Sequence, residues 1–326
     1  MPTLGDTSIN ILVAAAYATV LVIWATSPLM IVWSNDSLPP LFSGAVRLTV
    51  SLILGLAILA LLKQRIEFTR PAMQSYFAAS LGSFGAMLLT YYGAQFVPSG
   101  LISVLFGVTP ILTMVMGLYI LQEPLPPPLG RAGIAVALCG LIALFATKEG
   151  NTDVQLHGIA LILSATVLFS LSAVLLKKID AGVAPFPTTI GALIVSTPTF
   201  WVIIYFTDSF VSFHLWSVKS QLGILHLSIF GSLVGWFAYY FILAKTSITA
   251  VSLVTLIVPM FAVWIGIAFN DETLSYSQSI ASVIILSGLA MFIAAKKRSK
   301  ATQTVAADHA LKNGPKTAAN FSEPQP

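Results

Sequence analysis

The sequence predicts an all-α membrane protein of ten transmembrane helices, arranged as two inverted five-helix repeats. Three observations carry that expectation: an apolar composition, ten apolar segments of spanning length, and self-similarity between the two halves of the chain. Hydrophobic residues make up 57% and charged residues 9% of the 326 residues, and the mean hydropathy is +0.90. A soluble domain carries roughly 25% charged residues, so water is not the main solvent of this chain.

A spanning helix needs about 20 mostly apolar residues. In chain order the segments that meet this are 9–33, 40–62, 73–95, 99–121, 129–147, 158–176, 187–207, 221–244, 248–269 and 276–295. The first eight residues hold no Lys or Arg and the apolar run from Ile9 to Trp33 exceeds a signal-peptide core, so it reads as a retained helix. Spans three and four nearly touch between Phe96 and Ser99. Most loops are short, which makes successive helices antiparallel neighbours. Helices are the expected spanning element because they satisfy their own backbone polar groups in hydrocarbon. With the N-terminus inside, inner loops and tail carry thirteen Lys/Arg and outer loops only Lys148 and Lys219. The positive-inside rule then puts both termini in the cytoplasm. From Ser299 to residue 326 the chain turns polar, with Ala, Thr, Gly and Pro, and reads as a disordered cytoplasmic tail. The Lys296-Lys297-Arg298 cluster before it suits anionic headgroups.

The net charge of +4 does not point to nucleic acid, because the basic residues are scattered through loops and gathered after Ala295. Cys139 is the only cysteine and four scattered histidines offer no ligand spacing, so no disulfide, metal or other cofactor is expected. Nothing resembles a phosphate-binding Walker loop, which excludes direct ATP coupling within this chain.

The halves share more than hydrophobicity. Gly82/Gly231, Ser83/Ser232, Tyr91/Tyr240, Ser103/Ser252, Pro110/Pro259, Gly117/Gly266, Glu123/Glu272 and Leu125/Leu274 are each 149 positions apart. Earlier in each half the spacing is 147, and Ala18-Thr19-Val20-Leu21 recurs as Ala165-Thr166-Val167-Leu168. Tyr, Ser, Pro and Glu in one register mark a duplication, with copies at 9–147 and 158–295. Five helices is an odd number, so the second copy enters from the opposite side. Inverted repeats place a binding cavity near the midplane at their interface, which two packings of the halves can open to either side.

These residues resemble the drug/metabolite transporter superfamily, specifically its EamA-type branch, over roughly residues 10–295. The resemblance is carried by Trp24, Arg47, Tyr91-Tyr92 through Ser99-Gly100-Leu101, Ser103 to Pro110, and Glu123-Pro124-Leu125. The second copy repeats it from Tyr240 through Ser252 and Pro259 to Glu272-Thr273-Leu274. It implies a ten-helix carrier or exporter of amino acids, metabolites or drugs in the plasma membrane (the inner membrane of a bacterium). The prolines Pro124 and Pro126-Pro127-Pro128 depart from the expected pattern.

Arg47 is the one charge well within a span. Mid-helix Arg costs about 2.5–3.5 kcal/mol on insertion scales, so it faces the bundle or water, or snorkels outward. A substrate anion or an internal pair would each satisfy it. Trp24 sits mid-span and either stacks on a flat or cationic substrate group or packs in the core. Tyr91 and Tyr240 carry hydroxyls for the cavity or for a helix–helix bond. Ser103 and Ser252 precede Pro110 and Pro259 by seven residues, about two turns on one face. Each proline is expected to kink its helix, releasing carbonyls that line a polar cavity with Gly107, Thr109 and Thr255, and serving as a hinge. Close helix packing is the alternative. Glu123 and Glu272 end their helices, where a carboxylate opposes the dipole, so each needs a cation or a neighbouring helix N-terminus. Gly130, Gly133, Gly140, Ser282, Ser287 and Gly288 make smooth faces for packing helix five on helix ten, or for a homodimer.

A secondary transporter moving a small organic solute by alternating access is the expected function, with proton and exchange coupling both open. An intramembrane enzyme would need buried catalytic clusters beyond Arg47 and His226. A channel would need charge rings or a filter loop, and a receptor-like scaffold does not account for an inverted duplication.

Overall fold

The computed structural model describes residues 4–123, 125, 127–145, 152–246 and 248–312. Among them no strand occurs, and the helices group into ten rods. These are α1 (Leu4–Ser34), α2 (Pro40–Leu61), α3 (70–93), α4 (Ser99–Ile120), α5 (Pro128–Phe145), α6 (Thr152–Ile179), α7 (Pro185–Thr207), α8 (Val218–Lys245), α9 (Ile248–Asn270) and α10 (Tyr276–Lys312). Six contain stretches long and apolar enough by themselves to cross a membrane, in α1, α2, α4, α6, α7 and α8; α5, α9 and α10 hold shorter apolar stretches.

Local chemistry sets the rod ends. Proline opens α2 and α7 at the first helical position, where a missing N–H has no cost. Residues in the left-handed region follow the helix ends at Lys63 (φ 52°), Gln122 (φ 55°), Asp180 (φ 42°), Asp208 (φ 47°) and Asp271 (φ 48°), the turn that satisfies terminal carbonyls. The junction of spans three and four resolves as a turn after Gly93, with Pro98 preceding the helix that begins at Ser99. α10 continues to Lys312 rather than ending near 295. Its extension holds Lys, Ala, Gln and Leu, all good helix formers. The last residues of the expected tail, 313–326, lie outside the described residues.

Two features depart from a plain α-helical reading. α3 and α8 each contain a π-helical stretch, Leu81–Ala86 and Leu227–Val234. Both stretches carry the paired Gly82/Gly231 and Ser83/Ser232. α4 is broken, its two pieces being Ser99–Phe106 and Thr109–Ile120. Pro110 therefore does not kink a helix through its interior. It sits in the first turn of the second piece, where its ring meets no hydrogen-bond demand. Gly107 and Val108 make the break, with the Gly107 N–H donating to Ser103 (3.0 Å) and the Val108 N–H to Leu105 (3.1 Å). The counterpart Pro259 does lie inside α9, which stays continuous.

Contacts between rods are reciprocal under exchange of the first five with the last five. α1 packs on α9 as α6 packs on α4; α2 meets the π stretch of α8 as α7 meets α3; α2 meets α7, and α5 meets α10. The paired glutamates repeat one geometry, the N–H of Glu123 reaching the Gly117 carbonyl (3.1 Å) and that of Glu272 the Gly266 carbonyl (3.3 Å). Between α5 and α10 the small-residue faces meet. A methyl on Gly133 would lie 2.5 Å from the Gly288 carbonyl oxygen, and one on Gly288 would strike the backbone of Ala137. Backbone-to-backbone contact of this kind is how helices gain dispersion energy where no hydrophobic effect separates them from lipid.

Candidate functional site

Where α1, α2, α3, α4, α6, α8 and α9 converge they leave a cavity of about 140 Å³. Trp24, Ser27, Pro28 and Ile31 descend one face of α1 toward it. Arg47 enters from α2, Thr90 and Met87 from α3, Ser103 and Phe106 from α4, Phe169 from α6, Trp236 from α8 and Val258 from α9. Both π stretches reach it through Gly82 and Gly231. A π turn interrupts the regular backbone hydrogen bonding and is frequent at functional sites. Glycine there lets other side chains come close: a methyl on Gly231 would meet the Arg47 guanidinium at 3.0 Å.

Among the described residues Arg47 is the single charged one of the lining, and only 6% of it is exposed. Its Nε donates to the Ser232 hydroxyl at 2.8 Å and its Nη1 to the Tyr91 hydroxyl at 3.4 Å, with the guanidinium 5.9 Å from the Tyr91 ring centre. Those hydrogen-bond partners are neutral, and no acidic side chain among the described residues lines the cavity. Snorkelling is thereby replaced by a bundle-facing position. Ser232 and Tyr91 hold the fork in place. In the other half the equivalent Ser83 bonds Ser196 instead (2.7 Å). Matching α2 to α7 by their opening prolines, Pro40 and Pro185, gives a spacing of 145, which sets Ala192 opposite Arg47. The charge has no counterpart.

Aromatic rings pack beside it. Trp24 lies 5.7 Å from Phe169 edge-on and 5.4 Å from Tyr239, so it both lines the cavity and packs. Trp236 stacks on Tyr240 at 5.4 Å with the planes 30° apart. Two polar features belong to residues of the same lining. The Ser103 hydroxyl is buried without a hydrogen-bond partner. Pro28 lies inside α1 and lacks an N–H, which withholds from the Trp24 carbonyl its helical donor.

The other sequence-predicted residues stand around this cavity rather than on it. Tyr91 is fully buried behind Arg47, its carbonyl accepting from Asn35 (3.0 Å). Tyr240 is buried with an unpartnered hydroxyl and lines a different cleft. Gly107 lies in the α4 break and Pro110 just beyond it, and Pro259 is buried next to Val258. The side chains of Ser252 and Thr255 lie outside the described residues. Glu272 has the helix N-terminus it requires: one carboxylate oxygen accepts from the Ser99 hydroxyl (2.9 Å) and the Gly100 N–H (3.4 Å) at the start of α4. Its other oxygen accepts from Asn270 (3.0 Å), whose side-chain oxygen accepts from Trp33 (3.0 Å). Sequence reasoning missed Ser27, Pro28, Phe106, Phe169 and Trp236. Pro28 carried a usable signal, a proline inside an apolar span. The aromatics carried none, since Phe and Trp are common in apolar spans.

A model of the EamA-like transporter family matches the chain twice, over residues 11–146 and 156–294. "Protein PagO" of Salmonella typhimurium is 26% identical over 273 residues, covering 81% of this chain and 85% of its own. "Uncharacterized inner membrane transporter YedA" of Escherichia coli strain K12 matches with the same identity and coverage. "Probable amino-acid metabolite efflux pump" of Salmonella typhimurium is 23% identical over 286 residues, 83% of this chain and 91% of its own. A solved structure described only as "Crystal structure of protein" shares the fold, with TM-score 0.64 at 15% identity over 87% of this chain and 98% of that one.

Proposed function

The chain belongs to the EamA-like transporter family, and from that premise we propose that it carries a small organic solute through the Arg47 cavity by alternating access. The observation that carries this reading is a buried guanidinium with only neutral hydrogen-bond partners, facing a cavity lined by both halves of the chain. A buried charge without a counterion is costly, so a solute carboxylate or similar anionic group complements it. Trp24, Trp236 and Phe169 receive the flat or apolar body, while Ser103 offers a polar contact. Amino acids and related metabolites fit such a wall, a reading that the relative described as an efflux pump for such compounds supports.

In this proposal residues 9–147 and 158–295 are inverted repeats, supported by the reciprocal contacts and the paired π stretches. Two packings of such halves expose one site alternately. The protein sits in the inner membrane with both termini cytoplasmic, supported by thirteen inner against two outer basic residues. Transport is the reading that family membership favours over an intramembrane enzyme.

Thermal-shift screening of the purified chain against a metabolite library identifies the solute, since a ligand at 100 times its Kd adds about 2.7 kcal/mol of stability. Counterflow of that solute in proteoliposomes then tests the mechanism. Saturable counterflow is expected; a linear, non-saturating flux overturns the carrier reading.

A further inference from the structure

The second large space lies at the ends of α6 and α8 and the start of α7, on the cytoplasmic side in the proposed orientation. It has a volume of about 470 Å³. Among the described residues Lys177 and Lys245 line it, against one acid, Asp180. Its floor is the turn through Asp180 (φ 42°) and Gly182 (φ 68°) into the N-terminus of α7. That N-terminus has no side-chain cap at Ala184, so its positive dipole end faces outward. Tyr240 completes the lining, 4% exposed, its buried hydroxyl without a partner. Two cations and an orphan hydroxyl converge beside a helix end whose Pro185 and Pro187 carry no N–H, so the lysines supply the charge that would hold an anion.

Two stacked rings separate this cleft from the central cavity. Trp236 lines the cavity, Tyr240 lines the cleft, and their centres are 5.4 Å apart. Each space thus carries excess positive charge, Arg47 in one and the two lysines in the other. We propose that the transported solute is an organic anion, and that the cleft is a second station where its anionic group docks beyond the Trp236–Tyr240 pair. This rests on the carrier reading of the Arg47 cavity and narrows it. The shared chemistry, an anionic oxygen group, also describes a phospholipid headgroup, so the test separates the two.

The full chain in nanodiscs is titrated with three radiolabelled probes of one aromatic body: phenylpyruvate (anion), phenethylamine (cation) and 2-phenylethanol (neutral). Phenylpyruvate is expected to bind at two sites per chain and the others at least tenfold more weakly. Arg47→Gln should remove one site, and the pair Lys177→Gln/Lys245→Gln should weaken the other at least tenfold while sparing the first. Equal binding of phenethylamine or phenylethanol overturns the anion class but leaves the carrier reading standing. One site, lost only with Arg47→Gln, overturns the second station. If the lysine pair alters retention of phosphatidylglycerol and not the phenylpyruvate stoichiometry, the cleft holds lipid and the station is overturned. Absence of binding by all three overturns the proposal, whereas failure of the carrier reading shows separately as non-saturating counterflow of the library-identified solute.

Discussion

Removing the Arg47 guanidinium takes from the cavity wall the only charge among the described residues. Truncating one partner of a desolvated charge pair costs about 2–5 kcal/mol, so Arg47→Ala is predicted to lower solute counterflow at least ~30-fold while membrane insertion stays normal. Unchanged kinetics would show that Arg47 never meets the solute. The two residues that aim the fork differ in bond length, 2.8 Å for Ser232 and 3.4 Å for Tyr91. A hydrogen bond to a charged group contributes about 1.5–3 kcal/mol, so Ser232→Ala is predicted to weaken solute affinity about tenfold or more. Tyr91→Phe should weaken it less, and an inverted order in a binding titration would reject this account of the aiming. Arg47 and Trp24 were legible in the sequence because a mid-span charge and a mid-span indole are rare. Ser232 was visible only as half of a repeated pair, since nothing in a serine says that an arginine 185 positions away will use it.

The α5–α10 contact belongs to whole elements, because no polar bond across it is needed for the backbones to touch. A side chain at Gly288 collides with the backbone of Ala137, which cannot rotate away. Overpacking costs typically 1–3 kcal/mol, so Gly288→Leu is predicted to lower the thermal midpoint of the purified protein by several degrees with the cavity residues untouched. An unchanged midpoint would mean the helices are not in contact. The break in α4 predicts a contrast between the two repeated prolines. Pro110→Ala should be nearly silent in stability and transport, since the first turn needs no N–H bond. Pro259→Ala restores an interior helical bond in α9 and should change transport rate. Equal effects of the two would argue against the break. The spans themselves were legible because twenty apolar residues in hydrocarbon have few alternatives to helix. The π stretches and the α4 break were not, because a shift from one backbone hydrogen-bond register to another leaves the apolar pattern unaltered.

At the scale of the molecule, Glu272 ties the end of α9, in the second half, to the start of α4, in the first. If the halves rock against each other, this tie opens and closes with them. Glu272→Gln weakens a charge-assisted contact of about 1.5–3 kcal/mol, which shifts a two-state population roughly ten- to a hundredfold. A cysteine placed at Ser103 in a Cys139→Ser chain is therefore predicted to react faster with a membrane-impermeant thiol reagent added from outside once Glu272 is Gln. No change in that rate would make the contact a static brace. The duplication was legible because paired Tyr, Ser, Pro and Glu residues outnumber chance in apolar helices; how unequal the copies are was not. α4 divides at a glycine, while α9 runs unbroken through its proline. Two halves of equal stiffness, related by a two-fold axis in the membrane plane, would leave the inward- and outward-facing states equally populated. A bend that one half makes through a joint and the other through a flexed rod sets the two facing states at different energies, so the machine has a resting side, while net flux still follows the solute gradient or a coupled one.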